Sequence, residues 1–283
     1  MKPAYFENLN IHELKAYAES TVITAFNNVA VTLEEEYNYP QGGCQQKAHM
    51  SSLLLDKEHK IEHAKIWLFA AGTLTASNNT MLEIKDINEF TPGNIIQWGY
   101  HVAPVVKIKK NNKIMLYVID PALDKNKPVT VDAWFSAITN SGSGSFTYTT
   151  SETYFFNCYF MNEGGLSTVF DGTFYGYDKE DQQNLVLEKG IAICSTAMYI
   201  FRNHIQDSEA AKKNKKSLDD LKDIFGNATA IDYVIAQNAS ANTPNTVARY
   251  VITHYPAILN EAKTFFNERL VHWVNLTNQL LKK

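Results

Sequence analysis

The sequence is poor in the features that mark metal-binding, disulfide-stabilised and membrane-spanning chains. It has only three cysteines, Cys44, Cys158 and Cys194, and their spacing matches neither a zinc site nor a disulfide framework. No apolar stretch approaches the ~18 residues of a membrane span, and the first residues lack the apolar region of a signal peptide. These absences favour a reducing compartment, or one functional thiol with two buried ones.

An excess of charge of one sign is also missing. The chain has 30 acidic and 26 basic residues and a net charge of −4, so a nucleic-acid partner is not expected. Hydrophobic residues make up 45% and charged residues 20% of the 283 positions. This is the composition of a folded protein with a substantial core.

Residue periodicity predicts both helices and strands in the first part of the chain. Apolar residues at helical spacing predict a helix over 10–37, with Asn10 as its N-cap, and another from 44 to about 57. The segments 97–109 and 113–120 are rich in β-forming residues.

Local signals refine the two β-rich segments. Asn111-Asn112 between them predicts a two-residue hairpin loop, because asparagine tolerates positive φ. Pro104 predicts an edge strand or a bulge, since it has no N–H to donate. Thr130 is expected to cap a short helix.

After residue 178 the pattern becomes mainly helical. The predicted helices span roughly 179–206, 217–225, 229–240 and 255–281. We therefore predict an α+β chain, in which an antiparallel sheet packed with helices is followed by a mainly helical C-terminal region. The predicted domains are 1–178 and 179–283.

Cys44 has the local context of a nucleophile. It follows the turn Gln41-Gly42-Gly43 and begins the predicted second helix. The free N–H groups and positive partial charge of a helix N-terminus favour the thiolate form of a cysteine, and they can stabilise an oxyanion. The glycines allow backbone or substrate to approach closely.

His101 and Asp120 lie on the two strands of the predicted hairpin. If Lys110 pairs with Lys113, Asp120 lies opposite Ala103, and His101 lies on the same face. The two residues are then diagonal neighbours, with Cα atoms ~7–8 Å apart. A thiol, a histidine and an orienting carboxylate are the set that carries acyl transfer.

Around these three residues the sequence resembles the protein glutaminase family, bacterial enzymes that deamidate glutamine side chains within folded proteins. The similar segments are Gly43-Cys44 with Ala48-His49 downstream, Trp98-Gly99-Tyr100-His101-Val102-Ala103-Pro104-Val105-Val106, Val118-Ile119-Asp120-Pro121-Ala122-Leu123 and Pro128-Val129-Thr130-Val131-Asp132-Ala133-Trp134. The resemblance covers about 40–160 and implies a papain- or transglutaminase-like core, with 1–178 as the catalytic domain.

The resemblance also implies a mechanism and a partner. Cys44 forms a γ-glutamyl thioester, His101 acts as acid and base, and Asp120 orients His101, so that ammonia and glutamate are released. The predicted substrate-binding residues are Gly43, Trp98 and Tyr100. The expected partner is a glutamine-bearing protein or peptide, with neither cofactor nor metal. Secretion, or delivery as a bacterial effector, is favoured, and a cytoplasmic location stays open.

Other functions use the same residues. A cysteine peptidase or a transglutaminase has the same triad, and a non-catalytic protein could grip a partner with 179–283. A zinc site of His49, His59 and His63 is disfavoured, because the last two lie in a Lys/Glu-rich segment. The sequence makes no prediction of oligomeric state.

Overall fold

The computed structural model of the protein describes residues 9–74, 78–160, 170–206 and 215–283. The strands of these residues are β1 (Ala16–Ala18), β2 (Ala64–Phe69), β3 (Leu82–Lys85), β4 (Ile95–Trp98), β5 (Tyr100–Lys110), β6 (Lys113–Val118), β7 (Val129–Thr130), β8 (Ser145–Thr150), β9 (Thr153–Phe160) and β10 (Phe170–Gly176). The helices are α1 (Glu19–Thr32), α2 (Glu34–Tyr37), α3 (Cys44–Lys57), α4 (Ala71–Leu74), α5 (Val131–Ser136), α6 (Lys179–Gln183), α7 (Val186–Ile200), α8 (Lys215–Phe225), α9 (Ala228–Ile231), α10 (Thr246–His254) and α11 (Pro256–Leu281).

The main sheet has the strand order β7-β6-β5-β2-β8, and neighbours along this path run antiparallel. The short β1 adds a parallel pairing to the far half of β5. Two smaller antiparallel pairs join β3 with β4 and β9 with β10. The predicted α+β class, with an antiparallel sheet and a helical C-terminal region, is confirmed.

β5 and β6 form the predicted hairpin. Asn111 and Asn112 have φ angles of 49° and 60°, the positive values that a two-residue type I′ loop requires. Lys110 pairs with Lys113, and the register continues to Val105 opposite Val118. The register predicted from the loop is therefore correct.

Pro104 lies in the central strand, so the predicted edge strand or bulge is wrong. It pairs with Lys65 of β2 without a shift in register. Its carbonyl accepts a hydrogen bond of 2.9 Å from the N–H of Ile119, just beyond β6. The N–H that proline lacks would point towards the same neighbour, where the pairing with β6 ends. Proline therefore costs the sheet at most one hydrogen bond at the end of that pairing.

The single helix predicted over 10–37 is also wrong. Asn10 caps only a short 3-10 turn, Ile11–Glu13, and β1 follows, because its residues pair with β5. The helix α1 begins at Glu19, and α2 is a separate turn after Leu33. The three residues of β1 thus pair with the sheet, although the apolar spacing around them is that of a helix.

The segment 97–109 is divided at Gly99. β4 ends at Trp98 and pairs with β3, whereas β5 joins the main sheet. The carbonyl of Gly99 accepts from the N–H of Ala70 and from the hydroxyl of Thr73. A Cβ at Gly99 would lie 2.8 Å from that hydroxyl, so the chain turns here because glycine allows close contact.

The largest core cluster joins both predicted domains. It includes Val22 and Leu54 from the first part of the chain and Ile191 and Trp273 from the second. The helices α7 and α11 pack against α3. The boundary predicted at 178 remains a prediction from composition, and the core is continuous across it.

Further sequence expectations have structural counterparts. Thr130 caps α5 by accepting from the N–H of Ala133. Cys44 and Cys194 are free thiols, and Cys194 is buried, whereas the side chain of Cys158 lies outside what the structure describes. Within the described residues, no helix is both long and apolar enough to cross a membrane.

Candidate active site

Cys44 is the first residue of α3 and follows a tight turn. The preceding Gly43 has a φ of 73°, a left-handed conformation that glycine adopts without steric cost. A Cβ on Gly43 would lie 2.6 Å from the Sγ of Cys194 on α7, so no larger side chain fits. The turn therefore places the half-buried Cys44 thiol at the N-terminus of α3.

The first turn of α3 keeps backbone donors available. Gly43 offers no side-chain cap, and the first hydrogen bond along the helix joins the N–H of Lys47 to the Gly43 carbonyl at 2.9 Å. Within the described residues, the N–H groups of Cys44, Gln45 and Gln46 have no hydrogen-bond partner. Such donors beside a thiol can hold an oxyanion.

His101 on β5 and Asp120, just beyond β6, form a buried pair. Their Nε2 and Oδ2 atoms are 2.7 Å apart, and the side chains are 4% and 2% exposed. Oδ2 also accepts from the indole N–H of Trp134 at 2.8 Å, and Oδ1 accepts from the N–H of Ala122 at 3.2 Å. Because an ionised carboxylate only accepts hydrogen bonds, Nε2 carries the hydrogen of this pair.

The two members of the pair stabilise each other's charged form. Burial lowers the pKa of His101, but the charge and hydrogen bond of Asp120, with a contribution from Cys44, raise it to about 9. Burial raises the pKa of Asp120, and the combined effect of His101, Trp134 and Lys47 brings it below its ordinary value. At neutral pH, His101 is therefore protonated beside an ionised Asp120.

The Cys44 thiol lies close to the imidazole of His101. The Nδ1 atom is buried and has no hydrogen-bond partner among the described residues, and Cys44 is close enough to raise the pKa of the ring. Since Asp120 occupies Nε2, Nδ1 is the atom available to the thiol. The structure thus brings together the three residues that the sequence singles out.

Two buried indole rings restrain the imidazole of His101. The Trp98 ring stacks on it, with centroids 4.3 Å apart and planes at 11°. The Trp134 ring lies 5.6 Å away at 20°. Because the indole N–H of Trp98 donates to the Pro40 carbonyl at 2.9 Å, and that of Trp134 donates to Asp120, both rings are held in place.

A cleft of about 450 Å³ opens at Cys44. Its walls come from the turn before α3, the segment around β4 and the segment between α8 and α9. The lining residues are Gln41, Gly42, Gly43, Cys44, Gln45, Gln46, Thr91, Ile96, Gln97, Tyr100, Gly226, Asn227, Ala228 and Thr229. Apart from the Cys44 thiol and the Tyr100 phenol, these described lining residues have no ionisable side chain.

The three predicted substrate-binding residues have different positions. Gly43 and Tyr100 line the cleft, and the hydroxyl of Tyr100 donates to the side-chain oxygen of Gln45. Trp98 is absent from the described lining residues and contacts His101 instead. Substrate contact by all three stays a prediction.

Sequence reasoning assigns no role to Trp134, Lys47 or the segment 226–229. Trp134 binds Asp120 directly, and the resemblance of its segment was the available signal. Lys47 is buried, and its ammonium donates to the Tyr39 carbonyl at 2.8 Å. Its place three residues after Cys44, on the same face of the helix, was a local signal. The segment 226–229 reaches the cleft only through tertiary packing.

The histidines of the alternative zinc site make other contacts. Nδ1 of His49 lies 3.0 Å from the ammonium of Lys65, and Nδ1 of His63 lies 2.8 Å from the Ile61 carbonyl. Burial, with the positive charge of Lys65, lowers the pKa of His49. In the described ranges, no three His, Cys, Asp or Glu residues are grouped as a metal site.

Part of the chain is similar to a known family. Residues 17–138, less than half of the chain, match the model of a family described as Glutaminase, and no curated protein matches. The NMR structure of protein-glutaminase from Chryseobacterium proteolyticum is 19% identical, over 65% of this chain and 89% of that one, with a TM-score of 0.42. A crystal structure of pro-protein-glutaminase is 18% identical, over 66% of this chain and 60% of that one, with a TM-score of 0.43.

Proposed function

We propose that this chain, whose residues 17–138 match the model of a family described as Glutaminase, hydrolyses glutamine side-chain amides within proteins or peptides. The observation that supports this most directly is that Cys44 lines the cleft and lies close to the buried His101–Asp120 pair. A thiol, a proton carrier and an orienting carboxylate supply the chemistry that amide hydrolysis needs.

The uncharged cleft favours polypeptide-bound glutamine over the free amino acid. Free glutamine has an ammonium and a carboxylate on its Cα, and burying either group requires a charged partner. The described lining residues offer amides and hydroxyls instead. A glutamine within a chain presents neutral backbone amides, which such groups can hydrogen-bond.

In the first half of the proposed reaction, the Cys44 thiolate attacks the side-chain carbonyl carbon of the substrate. The oxyanion that forms is held by N–H groups at the start of α3. His101 donates its Nδ1 proton to the leaving nitrogen, the C–N bond breaks, and ammonia departs. A γ-glutamyl thioester remains on Cys44.

In the second half, water replaces ammonia. Nδ1 of His101 takes a proton from the water, which attacks the thioester carbonyl. The C–S bond breaks, the Cys44 thiolate leaves, and glutamate is released. Throughout, Asp120 keeps the Nε2–H tautomer and stabilises the imidazolium.

The proposal is tested by incubating the protein with a glutamine-rich protein substrate. We expect release of ammonia and a mass gain of about 1 Da at each converted glutamine, as hydrolysis of an amide through a thioester requires. Cys44→Ala is expected to abolish both. Cys194→Ser, which replaces the other described thiol and keeps a side chain of similar size against Gly43, serves as the matched control and is expected to retain them.

The alternative reactions give different products. New N-termini without ammonia would identify a peptidase, and incorporation of an added amine would identify a transglutaminase. If Cys44→Ala leaves every measured activity intact, the thioester mechanism is wrong, and a binding function takes its place.

A further inference from the structure

The C-terminal helical region forms one wall of the Cys44 cleft. Gly226 and Asn227 connect α8 to α9, Ala228 and Thr229 begin α9, and all four line the cleft with the turn before α3. The contact is close, since a Cβ on Gly42 would lie 2.7 Å from the Cβ of Ala228. These residues lie outside the segment 17–138 that matches the family.

A second cavity lies on the other side of this wall. It has a volume of about 530 Å³ and shares four lining residues with the cleft: Gly43, Gln46, Ala228 and Thr229. Its other lining residues come from the start of α7 and from the turn after α9: Asn184, Val186, Lys189, Gly190, Ile193 and Asp232. The two cavities are therefore neighbours, and the four residues that line both of them lie between them.

The ridge between the cavities is thin because of two glycines. A Cβ on Gly190 would lie 2.5 Å from the side chain of Gln46, so Gln46 lies directly against the α7 backbone. On the other side, Ala228 lies against Gly42. Glycine at 42 and at 190 thus allows Ala228 and Gln46 to pack directly against the backbone.

Charge distinguishes the second cavity from the cleft. It is lined by the ammonium of Lys189 and the carboxylate of Asp232. Asp232 accepts a hydrogen bond of 2.5 Å from the side-chain amide of Gln237. The side chain of Lys189 is exposed, and its ammonium makes no hydrogen bond or ion pair with the residues that the structure describes. A cation without a partner attracts an acidic group.

We propose that the two cavities form one groove for the substrate polypeptide, with the target glutamine at Cys44 and a flanking segment in the second cavity. In that second cavity, Lys189 selects an acidic side chain of the flank. This inference rests on the proposed function and adds a substrate class to it, glutamines that lie near acidic residues in an extended segment. The C-terminal region is then a specificity element.

The first test compares two nine-residue peptides with blocked ends, each with one central glutamine. One peptide has glutamate on both flanks, and the other has lysine at the same positions. For the wild-type protein at low salt, we expect kcat/KM to be about fivefold higher for the acidic peptide, the size of effect that an exposed ion pair supplies. The ratio should fall towards one as salt screens the charges.

Charge reversal at the groove sharpens this test. Lys189→Glu is expected to invert the ratio of kcat/KM between the two peptides. The matched control is Lys282→Glu, which makes the same charge change at the exposed end of α11 and should keep the wild-type ratio. An equal ratio in the wild type, Lys189→Glu and Lys282→Glu proteins would overturn the inference.

A binding measurement separates this inference from catalysis. Fluorescence anisotropy of the labelled peptides with the Cys44→Ala protein should show tighter binding of the acidic peptide, lost when Lys189→Glu is added. A blocked glutamine dipeptide, too short to reach the second cavity, reports on the chemistry alone. Failure to release ammonia from any substrate contradicts the proposed function, whereas ammonia release without charge preference contradicts only the groove.

Discussion

At the residue scale, the charge of Asp120 keeps the proton on His101. Asp120→Asn preserves the shape of the side chain and removes that charge, so the pKa of His101 falls from about 9, because Asp120 no longer opposes the lowering effect of burial. His101 then loses its proton at a lower pH, and the alkaline limb of the kcat/KM profile shifts to lower pH. We expect kcat/KM to fall about 10³- to 10⁴-fold, as in other triads.

Two measurements check this expectation. A pH profile of ammonia release locates the alkaline limb, and NMR titration of the imidazole gives the pKa of His101 directly. Asp132→Asn is the matched control, because Asp132 is an exposed acid on α5, and it should leave both unchanged. An alkaline limb that stays near pH 9 in Asp120→Asn would show that another group sets it.

Also at the residue scale, the indole N–H of Trp134 positions Asp120. Trp134→Phe removes the donor and keeps an aromatic ring, so the carboxylate loses one of its hydrogen bonds. Loss of a hydrogen bond to a charged group costs about 1.5–3 kcal/mol of unfolding free energy, and we expect kcat/KM to fall about tenfold as the His101–Asp120 pair loosens.

The matched control for this change is Trp67→Phe. The indole N–H of Trp67 is also buried and donates to the Thr149 hydroxyl at 3.0 Å, away from Asp120. Urea denaturation should show a loss of stability in both variants, whereas the pH profile of kcat/KM should change only in Trp134→Phe. Equal kinetic effects would mean that Trp134 acts through packing alone.

At the element scale, the turn before α3 depends on glycine at 43. Gly43→Ala forces a Cβ into a left-handed conformation and against the Sγ of Cys194. We expect a loss of about 3 kcal/mol of unfolding free energy, from strain and overpacking together. The start of α3 must also shift, so ammonia release should fall.

Gly93 offers a control for the strain alone. It has a φ of 75°, and nothing lies within 4 Å of the Cβ that an alanine would add. Gly93→Ala should therefore cost only about 1 kcal/mol, the conformational penalty for a side chain in this region. Calorimetric or urea unfolding of both variants separates the two effects, and equal losses would exclude the steric contribution of Cys194.

The elements also show where sequence reasoning succeeds. The pairing of His101 with Asp120 depends on a two-residue loop and on strand alternation, which are local properties, and the register predicted from Asn111-Asn112 is correct. The helix from Cys44 to Lys57 is correct for the same reason. The helix over 10–37 fails because β1 pairs with a strand about ninety positions later, which no local pattern reveals.

Long-range contacts limit the site prediction in the same way. The approach of Cys44 to Nδ1 of His101 depends on α3 packing against β5. The position of 226–229 depends on α8 and α9 folding back over the turn at Gly42. Neither contact has a periodicity or a loop signal, so sequence alone indicates Cys44, His101 and Asp120 as candidates and gives no sign of the cleft wall at 226–229.

At the scale of the whole molecule, an ion pair between Arg269 and the buried Glu36 joins the C-terminal helix α11 to α2. Glu36 on α2 is fully buried and accepts hydrogen bonds from Arg269 on α11, at 2.9 Å, and from Ser195 on α7. Burial raises the pKa of Glu36, and Ser195 and Arg269 oppose that rise. Three helices distant in sequence therefore meet at one carboxylate.

Arg269→Met removes the cation and leaves the Glu36 carboxylate uncompensated. We expect a loss of about 3 kcal/mol of unfolding free energy at neutral pH, the cost of breaking a buried pair. Without Arg269 the pKa of Glu36 rises further, so the folded protein takes up a proton as the pH falls. The difference from wild type should therefore shrink towards pH 4.

The control is Arg202→Met. It breaks the ion pair of Arg202 with Glu35, which is 2.6 Å long but has side chains 45% and 38% exposed. Such a pair contributes about 0–1 kcal/mol, so urea unfolding should change little at any pH. A loss for Arg269→Met that is the same at pH 4 and pH 7 would contradict the role given to Glu36.

The continuous core has a consequence for the order in which the chain matures. The His101–Asp120 pair is closed by a hairpin, and a hairpin forms within about 1–10 μs once its residues are available. The turn that presents Cys44 rests on Cys194 of α7 and on Ala228, which are synthesised long afterwards. On the proposed function, we therefore expect His101 and Asp120 to pair in the nascent chain before Cys44 is positioned, so that amide hydrolysis begins only after the last third of the chain has been made.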